Sequence, residues 1–138
     1  MSIRLVIAED HPLSREGLRQ YLEMAGDIEV VGEASNGQEL LELLERPEVA
    51  PDVALVDARM PVMDGISAAR AIAERFPGVA VIILSAFEDT QQVDNALGAG
   101  VHGYVLKDRG GEELIRALRR VLAGETVIDT ERQSAAGR

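Results

Sequence analysis

The sequence predicts an α/β fold in which a doubly wound parallel sheet of five strands is covered by helices on both faces. Short apolar runs alternate five times with amphipathic patterns of helical spacing. The connections are short, and parallel strands need a helical crossover between them. At 138 residues and 46% hydrophobic composition, the chain is long enough for one domain with a sizeable core. We therefore expect a (βα)5 three-layer sandwich.

Five apolar runs rich in branched residues predict the strands. Charged or turn-forming residues bound each run, as is typical of strands buried on both faces of a parallel sheet. The predicted strands are Arg4 to Ala8, Ile28 to Val31, Val53 to Val56, Val79 to Leu84 and Gly103 to Leu106.

Apolar residues at helical spacing predict a helix after each strand. Asp64 is the predicted N-cap of the third helix. The fourth helix is the most polar, which indicates a marginal helix that could move. The predicted helices are Ser14 to Met24, a segment containing Leu40, Leu41, Leu43 and Leu44, the stretch from Ile66 to Phe76, Glu88 to Leu97, and Glu112 to Ala123.

The formal net charge of −10 argues against several functions. Binding a phosphate backbone relies on clustered Lys and Arg, so we expect no nucleic-acid contact through this segment. No apolar run approaches the roughly 18 residues of a membrane span, and charges follow the start too closely for a signal peptide. We therefore expect a soluble cytoplasmic protein without membrane contact. With no cysteine, the available metal ligands are carboxylates and two histidines, which favours Mg²⁺.

Polar residues follow four of the predicted strands. The first, third and fifth strands end at Glu9-Asp10, Asp57 and Lys107, and the fourth ends at Ser85. A single acid after a strand more often only caps a turn, but the ends of parallel strands share one edge of the sheet. Three carboxylates there repel one another and call for a cation such as Mg²⁺. Asp57 could then form an aspartyl phosphate, with Lys107 and Ser85 binding the phosphoryl oxygens.

In this order, the acid pair and the segments VDARMPVMDG, LSA and GYVLK resemble the receiver domain of bacterial two-component response regulators, from Ser2 to about Gly124. The segments EDHPLSREGLRQYL and ALRRVLAGETVID are similar to the NarL-type subfamily, whose receivers usually precede a helix-turn-helix DNA-binding domain. The resemblance implies a flavodoxin-like strand order, 2-1-3-4-5. It divides the chain into a receiver domain, residues 1–124, and a linker or tail, residues 125–138.

The resemblance also assigns roles to the acids and the lysine. Asp57 becomes the phospho-acceptor. Asp10, Asp57 and the backbone carbonyl of Arg59 become ligands of Mg²⁺, with Glu9 acting through water. Lys107 pairs with the acid and then with the phosphoryl group.

Other positions become switch or tuning residues by the same resemblance. Ser85 would bind the phosphoryl group, and Tyr104 would swing from exposed to buried. Arg59 and Phe87 occupy positions that tune the lifetime of the phosphate, and their bulk and charge predict a long-lived phosphoryl state. Asp108 replaces the proline that most often follows the lysine in a cis peptide, so the sequence leaves the geometry of that bond open.

The implied function is phosphorylation-dependent signalling. The domain would accept a phosphoryl group from a sensor histidine kinase, catalyse only its own phosphoryl transfer and dephosphorylation, and switch an output face formed by the fourth helix, fifth strand and last helix. Homodimerisation could follow phosphorylation. Control of transcription would need a DNA-binding domain that this sequence does not contain. The alternative is a stand-alone receiver acting by protein–protein interaction.

Two other protein classes share parts of this pattern. A haloacid-dehalogenase-type phosphatase needs a second acid two residues after the nucleophile, where this chain has Arg59. A flavin- or nucleotide-binding domain would have a glycine-rich loop after the first strand, where this chain has EDHPLS. We expect His11, within that segment, to be a turn residue rather than a metal ligand.

Overall fold

A computed structural model of the chain describes residues 2–86 and 89–129. The strands are β1 (Ile3–Ala8), β2 (Ile28–Ala34), β3 (Val53–Asp57), β4 (Ala80–Ser85), β5 (Gly103–Leu106) and β6 (Val127–Asp129). The helices are α1 (Pro12–Glu23), α2 (Gly37–Leu44), α3 (Gly65–Arg75), α4 (Thr90–Gly98) and α5 (Gly111–Leu122). The strands form one parallel sheet in the order β2-β1-β3-β4-β5-β6.

Apolar side chains of the sheet alternate between two cores, one on each face. In β3, Val53 and Leu55 pack with residues of α1 and α5, whereas Ala54 and Val56 pack with residues of α2, α3 and α4. Because helices cover both faces, every position of the strand is buried, and this explains the continuous apolar runs in the sequence. The predicted three-layer arrangement is confirmed.

The predicted strand order is confirmed for the first five strands, and a sixth strand extends it. Gly103 of β5 pairs with Val127 of β6, and Tyr104 pairs with Ile128. The prediction of five strands was therefore one short, since we expected residues 125–138 to be only a linker or tail. Three residues are too few to show a period in the sequence, and the strand forms because the edge of β5 offers unpaired backbone groups. Residues 130–138 of the expected tail lie outside the described residues.

The helices begin and end close to their predicted positions. Helix α1 begins at Pro12 rather than Ser14, because proline fits the first turn of a helix, where its missing N–H would have no partner. Helix α4 begins at Thr90, and its predicted first residue, Glu88, lies outside the described residues. Within residues 2–86 and 89–129, no helix is long and apolar enough to cross a bilayer.

The start of α3 is packed directly against the end of β3. The Asp64 carboxylate accepts a hydrogen bond of 2.7 Å from the Ser67 amide, which confirms the predicted N-cap. The Gly65 amide donates to the Ala58 carbonyl at 3.1 Å. A Cβ added to Gly65 would lie 2.2 Å from the carbonyl oxygen of Asp57, so only glycine permits this approach.

Replacing Gly65 by alanine should therefore destabilise the domain by about 1–3 kcal/mol, because the clash is with backbone rather than with a flexible side chain. Gly17→Ala is the matched control, since a Cβ at this position of α1 meets no atom within 4 Å. Alanine at Gly17 should stabilise the domain by up to about 1 kcal/mol. Urea unfolding measures both changes. Equal stability of Gly65→Ala and wild type would mean that the β3–α3 contact can relax without cost.

Candidate functional site

The strand register brings the predicted site residues to one edge of the sheet. Ala8 pairs with Val56, so Glu9 and Asp57 follow at the same level on neighbouring strands. Asp57 pairs with Leu84, and the residue after Leu84 is Ser85, which pairs with Leu106. Lys107 comes directly after Leu106. The predicted meeting of these strand ends is confirmed.

Lys107 is bonded to both buried acids. Its Nζ lies 2.8 Å from Asp57 Oδ2 and 3.2 Å from Glu9 Oε2. Glu9 and Asp57 are only 1% and 6% exposed, and buried carboxylates without partners are costly. The second oxygen of Asp57 accepts a hydrogen bond of 3.1 Å from the Arg59 amide. Both oxygens of Asp57 are thus engaged by groups of the domain.

The two buried acids titrate as a coupled pair. Burial, and then a hydrogen bond with the Glu9 carboxyl group, raises the pKa of Asp57 to about 6, although Lys107 and the Arg59 amide act in the opposite direction. Burial also pushes the pKa of Glu9 upward, but hydrogen bonds with Asp57 and His11 outweigh it and bring that pKa to about 2. Between these values the pair retains one proton, which belongs to the two coupled carboxyl groups together.

His11 lies against the acid pair. Its backbone amide donates to Glu9 Oε1 at 3.1 Å, and its Nδ1 lies 3.0 Å from the same oxygen and 3.3 Å from Asp10 Oδ1. Hydrogen bonding to Glu9 and the charge of Asp10 raise the pKa of His11. His11 occupies the N-cap position of α1, as expected of a turn residue, yet it also contacts both acids, which the sequence did not indicate.

The acidic end of β1 fits a hard cation. Ligand atoms of Glu9, Asp10 and His11 all lie within 4.8 Å of one another. Asp10 Oδ1 is buried and, although His11 Nδ1 lies 3.3 Å away, it accepts no hydrogen bond in the described part of the chain. A buried oxygen without a donor is unfavourable, and a cation ligated by oxygens would satisfy it.

The structure does not group all the predicted ligands. The compact cluster contains Glu9, Asp10 and His11, whereas Asp57 is tied to Lys107. The peptide bonds of the described residues are all trans, so Lys107-Asp108 is trans, and residues Lys107–Arg109 form a single 3-10 turn. Phe87, predicted to tune the phosphate lifetime, lies outside the described residues.

The two predicted switch residues are linked by a third side chain. Ser85 and Tyr104 are 2% and 0% exposed, so Tyr104 already occupies a buried position. Gln92 of α4 donates from Nε2 to Ser85 Oγ at 2.9 Å and to Tyr104 Oη at 2.7 Å. Gln92 was not predicted. A polar residue on the inward helical stripe that contains Val93 and Ala96 was the signal that could have identified it.

The family is shown by comparison with known proteins. Residues 5–119 match the response regulator receiver domain family. The chain belongs to this receiver family. The receiver is 43% identical over 128 residues to the transcriptional regulatory protein YhcZ of Bacillus subtilis, an alignment that covers 93% of this chain and 58% of that protein. It is 39% identical over 124 residues to the nitrate/nitrite response regulator NarL of Escherichia coli K12, covering 90% of this chain and 56% of NarL.

A solved structure supports the same assignment. The signal receiver domain of the response regulator NarL from Mycobacterium tuberculosis matches with a TM-score of 0.84 and 39% identity, covering 90% of this chain and 98% of that one. The predicted NarL-type resemblance is confirmed, in preference to the phosphatase and the nucleotide-binding domain. This receiver spans a little over half the length of the curated relatives it matches.

Membership of the family settles the general class of function. Receiver domains are signalling modules that generally bind Mg²⁺ at an acidic pocket, and this receiver has an acidic cluster at Glu9, Asp10 and His11. Response regulators of this kind are phosphorylated by sensor kinases and act with DNA through output domains.

Removing the Lys107 charge should destabilise the receiver in a pH-dependent way. In Lys107→Met the buried acids lose the cation that lowers their pKa values. Their ionisation then opposes folding more strongly, so the loss of stability relative to wild type should grow as pH rises through about 6 and shrink at acid pH. We expect the free energy of unfolding of Lys107→Met to be about 1–3 kcal/mol lower than that of wild type at pH 8.

Urea unfolding with a chelator present, at pH 4.5 and at pH 8, measures this difference. Asp108→Asn, at the exposed neighbouring position, is the control and should show no such pH dependence. If Lys107→Met lost the same unfolding free energy relative to wild type at both pH values, the charge argument would be contradicted.

Proposed function

We propose that this receiver accepts a phosphoryl group on Asp57 from a sensor histidine kinase, and that phosphorylation controls transcription through an output domain. The observation that supports Asp57 is its position at the carboxyl end of β3, where it is buried and bonded to Lys107. Carboxylates are established nucleophiles in phosphoryl transfer. In this proposal the domain catalyses only its own phosphorylation and dephosphorylation.

The proposed reaction uses side chains already in place. A carboxylate oxygen of Asp57 attacks the phosphorus of the donor, the N–P bond of the phosphohistidine breaks, and the histidine nitrogen keeps the electron pair. Lys107, which contacts Asp57 at 2.8 Å, can then pair with a phosphoryl oxygen. The Ser85 hydroxyl can donate a hydrogen bond to another phosphoryl oxygen.

We propose that Asp10, Asp57 and the Arg59 carbonyl ligate Mg²⁺, with Glu9 acting through water. The orphaned Asp10 oxygen supports Asp10 as a ligand, and Glu9 belongs to the same cluster. Asp57 and the Arg59 carbonyl are included on the family resemblance. When bound, Mg²⁺ would neutralise the charge that accumulates between the carboxylates and the phosphoryl oxygens.

The remaining predicted roles concern regulation. We propose that Arg59 and Phe87 shield the acyl phosphate from water and lengthen its lifetime, and that Ser85 and Tyr104 respond to it. The net charge of −10 supports DNA contact through another domain rather than through this one. We propose that the protein acts in the cytoplasm and dimerises on phosphorylation. A receiver acting alone, by protein–protein contact, is the alternative.

Incubation with acetyl phosphate and Mg²⁺, followed by intact mass measurement, tests the acceptor. Wild type should gain one phosphoryl group and Asp57→Asn should gain none, because an amide does not form the acyl phosphate. Asp108→Asn is the matched control, since it removes a neighbouring exposed acid, and it should react like wild type. A phosphoryl group on Asp57→Asn, or no gain by wild type, would contradict the proposal.

Binding of Mg²⁺ should depend on pH because of Asp57. With a pKa of about 6, Asp57 must lose its proton before it can ligate the cation, so affinity should rise with pH through about 6 and level off above about 7.5. Calorimetric titrations in buffers of different ionisation enthalpy would detect the released proton.

Asp57→Asn is the control for this titration. Its Mg²⁺ affinity should be weaker and should vary less between pH 5 and 7.5. The same pH dependence in wild type and in Asp57→Asn would remove Asp57 from the proposed ligand set.

A further inference from the structure

We propose that Gln92 is a positioning residue that couples the state of Asp57 to helix α4, by bonding Ser85 and Tyr104 with one side-chain amide. This inference rests on the proposed phosphorylation of Asp57. It adds a residue on α4 that neither the sequence pattern nor the family resemblance identified.

Gln92 joins two strands of the sheet to one helix. Ser85 ends β4, and Tyr104 lies on β5 beside Ile83 of β4. Both acceptor oxygens belong to buried side chains, and Gln92 donates to both of them, at 2.9 Å and 2.7 Å. A side-chain amide has two N–H donors, so each oxygen receives one.

Helix α4 has few other buried side chains. Val93 and Ala96 are the buried residues among its nine, against four in each of α2, α3 and α5 and one in α1. A helix with so little apolar packing is expected to shift readily. A bond from Gln92 to the sheet therefore has a large share in setting where α4 lies.

The chemistry of the Ser85 hydroxyl gives the coupling its direction. A hydroxyl has one donor and two acceptor sites, so Ser85 can accept from Gln92 while it donates to a phosphoryl oxygen. Donation to an anion polarises the hydroxyl and strengthens the hydrogen bond that it accepts. Phosphorylation of Asp57 should thus tighten the contact between Ser85 and Gln92, and so pull α4, with the hydrogen bond to the buried Tyr104 hydroxyl, closer to the end of β4.

Gln92→Glu reverses the direction of these hydrogen bonds. A carboxylate only accepts, so the Ser85 proton would point to residue 92 instead of to the phosphoryl group. Gln92→Leu removes the bonds without adding charge. Gln91 provides matched controls, because it is the neighbouring glutamine, is exposed, and bonds Asn95 of its own helix at 3.1 Å.

The test compares Gln92→Glu and Gln92→Leu with Gln91→Glu and Gln91→Leu. Each variant of the full 138-residue chain is studied alone and with Ser85→Ala. Circular dichroism and thermal melting first establish that the variants fold. Intact mass then follows phosphorylation by acetyl phosphate with Mg²⁺.

Tyr104 provides a spectroscopic signal independent of the reaction rate. The chain has two tyrosines, so 3-fluorotyrosine labelling in a Tyr21→Phe background leaves Tyr104 as the single fluorine probe. When Tyr21→Phe is the only substitution, the ¹⁹F resonance of Tyr104 should shift on phosphorylation. The Gln92→Leu protein should still gain the phosphoryl group, but its ¹⁹F shift change on phosphorylation should be less than about half of that seen with Gln92 present. Both Gln91 variants should show the full change.

Phosphorylation rates provide the second part of the test. Gln92→Glu should be phosphorylated about fivefold more slowly than Gln91→Glu, the effect of one misdirected hydrogen bond, and this difference should disappear when Ser85 is alanine. The inference would be overturned if the ¹⁹F shift change in Gln92→Leu equalled that with Gln92 present. It would also be overturned if Gln92→Glu were still phosphorylated more slowly than Gln91→Glu when Ser85 is alanine. Failure of wild type to be phosphorylated would instead overturn the proposed function, and the coupling with it.

Discussion

The ion pair between Lys107 and Asp57 is the interaction on which the rest of the site depends. Three acids converge on this edge of the sheet, and two of them, Glu9 and Asp57, are almost completely buried. Their mutual repulsion and desolvation would oppose folding if no cation faced them. One ammonium group within 3.2 Å of both carboxylates offsets that cost. The local charge nevertheless remains negative, which is the electrostatic condition under which a divalent cation binds.

The surroundings of Asp57 are rigid on one side and adaptable on the other. On the rigid side, Gly65 brings the start of α3 into backbone contact with the end of β3, leaving no room even for a methyl group. On the adaptable side, Ser85 is followed by the connection to α4, a helix with only two buried residues. A change of charge at Asp57 should therefore meet less resistance toward α4 than toward α3. Gln92 lies on that side and joins the strand end to the helix.

This division explains how a small chemical change can have a distant effect. Asp57 is paired with Lys107 in the structure, and the proposed phosphorylation would replace that carboxylate with a dianionic group. Such a change of charge affects a partner only if it shifts the domain between two conformations, and only if the surface that binds the partner differs between those conformations. This receiver spans a little over half the length of the curated relatives, and the domain itself is strongly acidic. Its influence on DNA would then be exerted through another segment, by way of the α4 side of the fold.

The sequence by itself predicted the first five strands and the polar residues at the ends of β1, β3, β4 and β5, because each of these four strands is an apolar run followed or ended by a polar residue. The bounds of β5 and the N-cap at Asp64 followed from the same local rules. Tertiary structure decided the rest. Strand β6 exists because β5 has a free edge. The raised pKa of Asp57 depends on burial, and the role of Gln92 depends on oxygens from two strands that only the folded sheet brings to one side chain. Local patterns specify which face of an element is buried, whereas contacts between distant polar groups depend on how the elements pack.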